Sequence, residues 1–199
     1  LENDTGDVAR RLGDEATFQI MAERLINTLN GLSFNRIVTA DPHVLHCLRN
    51  EYPAFGGHYP VIHHSALLDD LIRAQAIAPR ALELDHTLTY HDPCYLARYN
   101  GETEAPRRVL EALGIKVREM TRNGLNSRCC GGGGGAPLTD IPGKRRIPDM
   151  RMDDARDIGA QTVAVACPGC TAMLEGVVGP RPDVLDIAEL VELSLGEAA

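Results

Sequence analysis

Five of the six cysteines in this chain fall into three packets, and their spacing constrains the fold more than any other feature. Cys94 stands alone. After thirty-four intervening residues comes Cys129-Cys130, and after thirty-six more comes Cys167-Pro168-Gly169-Cys170. The middle packet opens the run Cys130-Gly131-Gly132-Gly133-Gly134-Gly135. If these thiols serve one metal centre, the rest of the chain must bring three remote segments together. Neighbouring residues of a strand or helix point in different directions, so Cys129-Cys130 belongs in a loop. Glycine lets that loop come close and donate backbone N–H groups to sulfur, which tunes a redox centre. Gly131, directly after the pair, is the first such donor.

Hydrophobic periodicity supplies an α/β frame for the packets. Val8, Leu12, Phe18, Met21, Leu25 and Leu29 recur near a 3.6-residue period, which predicts a helix over 7–30 stopped by Gly31. Buried strands are expected over 36–40, 60–64, 88–91, 115–120 and 162–166, with another at Val184-Leu185. Pro42, Pro106 and Pro168 sit where helices begin, Ser65 is an expected helix cap, and further helices are expected over 150–158 and 187–195. Strands alternating with helices indicate a parallel sheet. In such a sheet Cys94 and Cys167 both follow strands, so the packets can meet at its carboxyl edge. Cys170, one helical turn beyond Cys167, lies on the same face.

The alternation contains a repeat. Ile37-Val38-Thr39-Ala40-Asp41-Pro42-His43-Val44 aligns with Val163-Ala164-Val165-Ala166-Cys167-Pro168-Gly169-Cys170, and Pro60-Val61-Ile62 aligns with Asp183-Val184-Leu185. Asp41 and Val44 therefore stand where the second copy has Cys167 and Cys170. Two units are expected, one over 1–80 without ligands and one over 85–199 that holds the metal.

Composition narrows the chemistry. Lys and Arg total 20 against 28 Asp and Glu, a net charge of −8, which argues against nucleic acid. Aromatic residues are 4% of the chain with no Trp, so stacking platforms have little material. No window provides the roughly 20 apolar residues of a membrane span. The chain opens Leu1-Glu2-Asn3-Asp4, without Met or a charged-then-apolar leader, and reads as a piece of a longer polypeptide. A disulfide scaffold does not suit this size, so a reducing compartment and thiolate ligands are expected. Five thiolates exceed both the four of tetrahedral zinc and the four of an ordinary cubane cluster. Zinc with one idle thiol stays open, as does a packing role for any single cysteine.

The pattern Cys94…Cys129-Cys130-Gly131…Cys167-x-x-Cys170, with Tyr90-His91-Asp92-Pro93-Cys94 and Asn50-Glu51-Tyr52-Pro53, resembles the cysteine-rich CCG domain found in heterodisulfide reductase and in the glycolate oxidase iron–sulfur subunit. The resemblance implies an α/β fold of two pseudo-repeated Rossmann-like CCG units with short parallel sheets, the first degenerate or truncated. It also implies a non-cubane [4Fe-4S] cluster on Cys94, Cys129, Cys130, Cys167 and Cys170. The chain departs from two-domain members at Asp41 and Val44, and at Asp4, where a cysteine is often found. Cys129 to Pro137, Pro142-Gly143-Lys144-Arg145-Arg146-Ile147-Pro148-Asp149-Met150-Arg151-Met152 and Thr171-Ala172-Met173-Leu174-Glu175-Gly176 look like the iron–sulfur subunit of dimethylglycine-catabolism demethylases. That likeness implies a flavoprotein dehydrogenase as electron donor and an electron-transfer flavoprotein or quinone-linked acceptor. The expected location is the cytoplasm, at the inner face of the membrane through partners.

Other residues carry weaker signals. His91 could hydrogen-bond the cluster, couple a proton to electron transfer, or simply be a satisfied core histidine. His63-His64 end a strand and suit a repeat interface. Cys47 suits helix packing. Lys144-Arg145-Arg146 with Arg128 could offset cluster charge or dock a partner, although a charge run is usually a solvated face. The glycine run lacks the Lys-Ser/Thr of a phosphate loop. A catalytic disulfide reductase and a zinc-stabilised assembly module are the competing functions.

Overall fold

The structure is a computed structural model and describes residues 3–139 and 142–196. The ends of the two expected units (1–2 and 197–199) and residues 140–141 lie outside the described residues. The first half contains α1 (Asp7–Leu12), α2 (Glu15–Asn30), β1 (Ile37–Thr39), α3 (Pro42–His46), β2 (Val61–His63) and α4 (His64–Arg73). The second contains β3 (Leu88–Tyr90), α5 (Cys94–Asn100), α6 (Glu104–Ala112), α7 (Ile147–Asp157), β4 (Thr162–Val165), α8 (Pro168–Glu175), β5 (Asp183–Asp186) and α9 (Ile187–Leu195). This is the expected α/β class, built on short parallel sheets.

β1 and β2 form one parallel pair, and β3-β4-β5 form a three-stranded parallel sheet with β4 in the middle. Ile37 sits opposite Val61, and the aligned residues Val163 and Val184 are likewise opposite each other. Every residue of β4 is buried, as a central parallel strand with both faces covered requires. Its side chains alternate between two cores. Ala164 joins Leu88, Tyr90, Leu96, Leu110, Ile187 and Leu190 on one face. Val163 and Val165 join Met152, Leu174 and Val184 on the other. Leu45, Val61, Leu68 and Ile72 from the first half pack into the first of these cores, so the two sheets share apolar burial. Phe18, Ala22, Ile26, Leu48 and Tyr52 form a third core around α2.

Four local expectations are corrected. The helix expected over 7–30 is two helices, because Gly13 takes a left-handed φ of 83° and Asp14 then caps α2 by accepting from the Thr17 N–H. Ser65 is not the cap of α4; His63 is, its Nδ1 accepting the Ser65 N–H at 3.3 Å. Residues 115–120 form no strand. They touch β3 through one bond, Arg118 N–H to the Leu88 carbonyl at 2.9 Å, and bury only Ile115 and Met120 at their ends. The helix expected to begin at Pro106 starts at Glu104, where Glu102 accepts the N–H groups of Glu104 and Ala105. The capping box at Asp186 and Glu189 starts α9 where expected.

Candidate metal centre

Adjacent parallel strands set the position of two cysteine packets. β3 pairs with β4 in parallel; Cys94 is the first residue of α5, just after β3, and Cys167 caps α8, just after β4. The Cys167 sulfur accepts the Cys170 N–H at 3.4 Å, so the strand-end and helical thiols share one face.

The third packet is anchored to α5 and α7 by arginines, of which Arg151 is buried. Arg98 of α5 donates to the Ser127 carbonyl at 2.5 Å, and Arg151 of α7 donates to the Ser127 hydroxyl at 3.3 Å. Arg128 forms a two-pronged bridge to Asp154 of α7 at 2.8 and 3.3 Å. Upstream, Asp92 holds Arg107 through both oxygens and accepts the Gly124 N–H at 2.7 Å. Within the loop, the Cys129 sulfur accepts the Gly131 N–H at 3.2 Å and the Cys130 sulfur accepts the Gly132 N–H at 3.4 Å.

The five thiols so gathered are free cysteines and lie within hydrogen-bonding reach in a chain, Cys94 to Cys129 to Cys130 to Cys170 to Cys167. Their proton affinities split. Hydrogen bonds from the neighbouring thiols, Cys130 first, hold Cys129 far below an ordinary thiol, with the N–H groups of Gly131 and Gly133 assisting. The Cys170 thiol, then the Cys170 N–H, lowers Cys167. Cys94, Cys130 and Cys170 are pushed up by sharing with those acceptors and by burial. Like charges this close cannot all ionise on their own, so thiolates gathered here need a bound cation as counter-charge. Cys47, by contrast, is buried beside Asp7 and Glu51 in the first half, its thiol pushed up by burial, and does not join the set.

Two further observations test the fit of a cluster. His91 is wholly buried, and its Nε2 makes no hydrogen bond within the described residues. A ring nitrogen of His91 and the sulfurs of Cys130 and Cys170 lie within 4.8 Å of one another. Burial, then the charge of Arg151, lowers the His91 pKa to about 3. The donor set of five sulfurs, glycine N–H groups and an unpartnered buried imidazole suits an iron–sulfur cluster.

The site is walled by residues that carry no motif of their own in the sequence. Pro42 and His43, at the start of α3, line the same hollow as Pro93, Tyr95, Gly132 and four of the cysteines. His43 stacks on Tyr95 with centroids 3.9 Å apart and bonds Asp7 through Nδ1 at 2.8 Å. The internal alignment held the signal, since it places His43 opposite Gly169. A wider cleft of about 560 Å³ opens alongside, lined by Asp4, Asp7, Asp41, Val8, Leu25 and others, and shares His43, Gly132 and Gly169 with the site. His63 and His64 lie elsewhere, His64 bonding Asp186 across the two halves at 3.0 Å.

Residues 88–175 match the cysteine-rich CCG domain family. The chain carries a CCG domain. It is 58% identical to the "Probable membrane-anchored ferredoxin" of Chromohalobacter salexigens, over 98% of this chain and 30% of that protein. It is 34% identical to the EtfAB:quinone oxidoreductase of Syntrophomonas wolfei, over 94% of this chain and 28% of that protein. It is 38% identical to one subunit of the dihydromethanophenazine:CoB–CoM heterodisulfide reductase of Methanosarcina acetivorans, over 69% of this chain and 34% of that protein. A further relative, 37% identical over 87% of this chain, is the "Probable iron-sulfur-binding oxidoreductase" of Bacillus subtilis, and the chain spans about a third or less of the length of each of these relatives. No helix among the described residues is long and apolar enough to cross a membrane.

Proposed function

We propose that this CCG domain holds one non-cubane [4Fe-4S] cluster on Cys94, Cys129, Cys130, Cys167 and Cys170 and relays electrons from a flavoprotein dehydrogenase to an electron-transfer flavoprotein or quinone-linked acceptor. The observation that carries the proposal is the convergence of five free thiols from three separate segments, beside a buried imidazole. When bound, the cluster supplies one-electron storage. The protein supplies N–H donors from Gly131 and Gly132, excludes water with Pro42, Pro93 and Tyr95, and holds the middle loop through Arg98, Arg128 and Arg151. Residues 85–199 are the cluster-bearing unit, and residues 1–80 are a CCG unit that has lost its ligands and now serves as a wall. The resemblance to the demethylase iron–sulfur proteins favours N-methyl amine or dimethylglycine oxidation upstream. The relative in Syntrophomonas wolfei, an EtfAB:quinone oxidoreductase, favours an electron-transfer flavoprotein and quinone as exchange partners. The expected location is cytoplasmic, at the inner membrane face through partners.

One observation favours a second function, reduction of a disulfide at the cluster by two electrons and two protons to give two thiols. The wide cleft shares Gly132 and Gly169 with the cysteine site, so a small molecule could reach it. Iron, acid-labile sulfide and zinc, measured together on anaerobically purified intact polypeptide, test the common premise. Stoichiometric zinc with iron near zero removes both redox functions and leaves an assembly module. Cys129→Ser is expected to abolish cluster loading while a partner flavin is still reduced by its substrate. Unchanged reduction of the acceptor in that variant refutes the relay. Disulfide turnover by the loaded wild type selects the second function.

A further inference from the structure

Arg151 lies 1% exposed at the centre of α7, and each hydrogen bond of its guanidinium ends on an acceptor. Nη1 donates to the Arg122 carbonyl at 2.8 Å and to Asp154 at 3.3 Å, and Nη2 donates to the Ser127 hydroxyl at 3.3 Å. Nε donates to His91 Nδ1 at 3.0 Å. A guanidinium has donors and no acceptor, so the Nδ1 facing it presents a lone pair. A ring whose Nδ1 accepts carries its hydrogen on Nε2, the buried atom that finds no partner within the described residues. One ring nitrogen and the sulfurs of Cys130 and Cys170 lie within 4.8 Å of one another.

This polarity is the reverse of a metal-ligating histidine. Such a histidine turns a lone pair to the metal and donates its other N–H to a carboxylate or carbonyl. Here the outer nitrogen accepts, from a cation, and the inner nitrogen keeps its hydrogen. A fourth-ligand role beside Cys130 and Cys170, the arrangement zinc would use, demands the opposite tautomer or an imidazolate.

We infer that Arg151 is a positioning residue that fixes the hydrogen of His91 on Nε2, where it can donate to sulfur of a cluster held by Cys130 and Cys170, and that His91 is not a metal ligand. The inference rests on the iron–sulfur proposal above. Donors to cluster sulfur stabilise the more negative, reduced state and raise the potential. Arg151 thus sets the potential through His91 without touching the cluster.

The test uses the intact polypeptide, loaded anaerobically. His91→Phe removes the N–H, His91→Gln keeps an amide donor, and Arg151→Met frees Nδ1. His91→Phe is expected to retain wild-type iron and sulfide with a lowered reduction potential. His91→Gln should restore the potential in part. Arg151→Met should shift it in the same direction as His91→Phe, and the double variant should add no further shift. Nitrogen-15 NMR of the oxidised wild type should show His91 protonated on Nε2 alone, and electron–nuclear spectroscopy of the reduced form should show a weakly coupled nitrogen. An unmoved potential in loaded His91→Phe, a ring protonated on Nδ1, or a strongly coupled nitrogen overturns the inference. If the wild type binds zinc and no iron, the iron–sulfur proposal fails instead, and the NMR tautomer still decides the orientation of His91.

Discussion

Replacing Gly131 by Ala should injure this protein, whereas the same change two residues on should not. Gly131 has φ +91°, and a Cβ there would stand 2.8 Å from Cδ of Pro148 and 3.3 Å from Cβ of Ile147. A side chain held in left-handed backbone costs about 1–2 kcal/mol. Overpacking a fixed neighbour adds about 1–3 kcal/mol, and the Pro148 ring is fixed because it forms the first turn of α7. The loss for Gly131→Ala is therefore roughly 2–5 kcal/mol. Relief would shift the backbone N–H that Gly131 donates to Cys129, so loading should fall with stability. Gly133 has no left-handed φ and no atom within 4 Å of a built Cβ. Gly133→Ala should be neutral, or gain about 0.4–1 kcal/mol by restricting the unfolded chain. The assay is the urea midpoint of far-ultraviolet circular dichroism under anaerobic conditions, with iron per chain measured on the same samples. Coincident midpoints for the two variants would refute the steric reasoning.

Asp92 is 1% exposed and bonds Arg107 at 2.7 and 3.0 Å and the Gly124 N–H at 2.7 Å; Asp92→Asn should cost about 3–5 kcal/mol, as for other broken buried pairs, read from the urea midpoint. Burial, then the neighbouring His64, lowers the His63 pKa to about 4, below an unfolded value of about 6.5. Between those values the unfolded chain binds more protons, so this contribution is complete above about pH 6.5 and is lost as pH falls toward 4, by about 3 kcal/mol. It is measured as the difference between wild type and His63→Asn, since Asn still caps α4, and parallel pH curves would contradict it. Cys47→Ser should leave iron per chain unchanged, because Cys47 packs between Asp7 and Glu51 outside the site; iron loss there would enlarge the ligand set. Introducing both Asp41→Cys and Val44→Cys should add no iron on assay, since the first half has no counterpart of the Cys94 and Cys129-Cys130 packets.

The strands nearest the cysteines were legible because their physics is local. Thr162-Val163-Ala164-Val165 is continuously apolar or β-branched and ends at a proline-started helix, and it folds as the buried centre of the sheet. The alignment of Ile37 with Val163 and Val61 with Val184 reappears as matching strand register. Residues 115–120 misled because burial at their two ends resembles a strand, while ladder pairing is a tertiary matter. α5 was missed because Cys94-Tyr95-Leu96-Ala97 is too short for a periodic signal; its end is set by Gly101 at φ +71°. His91 was legible as a neighbour of the site, but its role was not. The deciding partner, Arg151, lies sixty residues away along the chain, and no spacing rule connects them.

The first half shows what stands at the positions aligned with Cys167 and Cys170 where the residues are Asp41 and Val44. In α8 the Cys167 sulfur accepts the Cys170 N–H, three residues on. In α3 the Asp41 carboxylate accepts the His43 N–H at 2.8 Å, two residues on, and Pro42 follows as Pro168 does. Both side chains are anions or near-anions at a helix start, and both satisfy an orphan backbone donor. Aspartate is among the best residues for that duty, so a helix of this kind loses nothing as a helix when thiolate is exchanged for carboxylate. What it loses is a soft sulfur ligand. Val44, at the place of Cys170, is half-buried and packs against the α2 core, which a thiol would do less well. The strand–proline–helix frame is thus selected by capping and packing, and the cysteines are an addition to it. The same frame thus serves different ends in the two halves: the second gathers sulfur, and the first presents His43 and Pro42 to the hollow beside it.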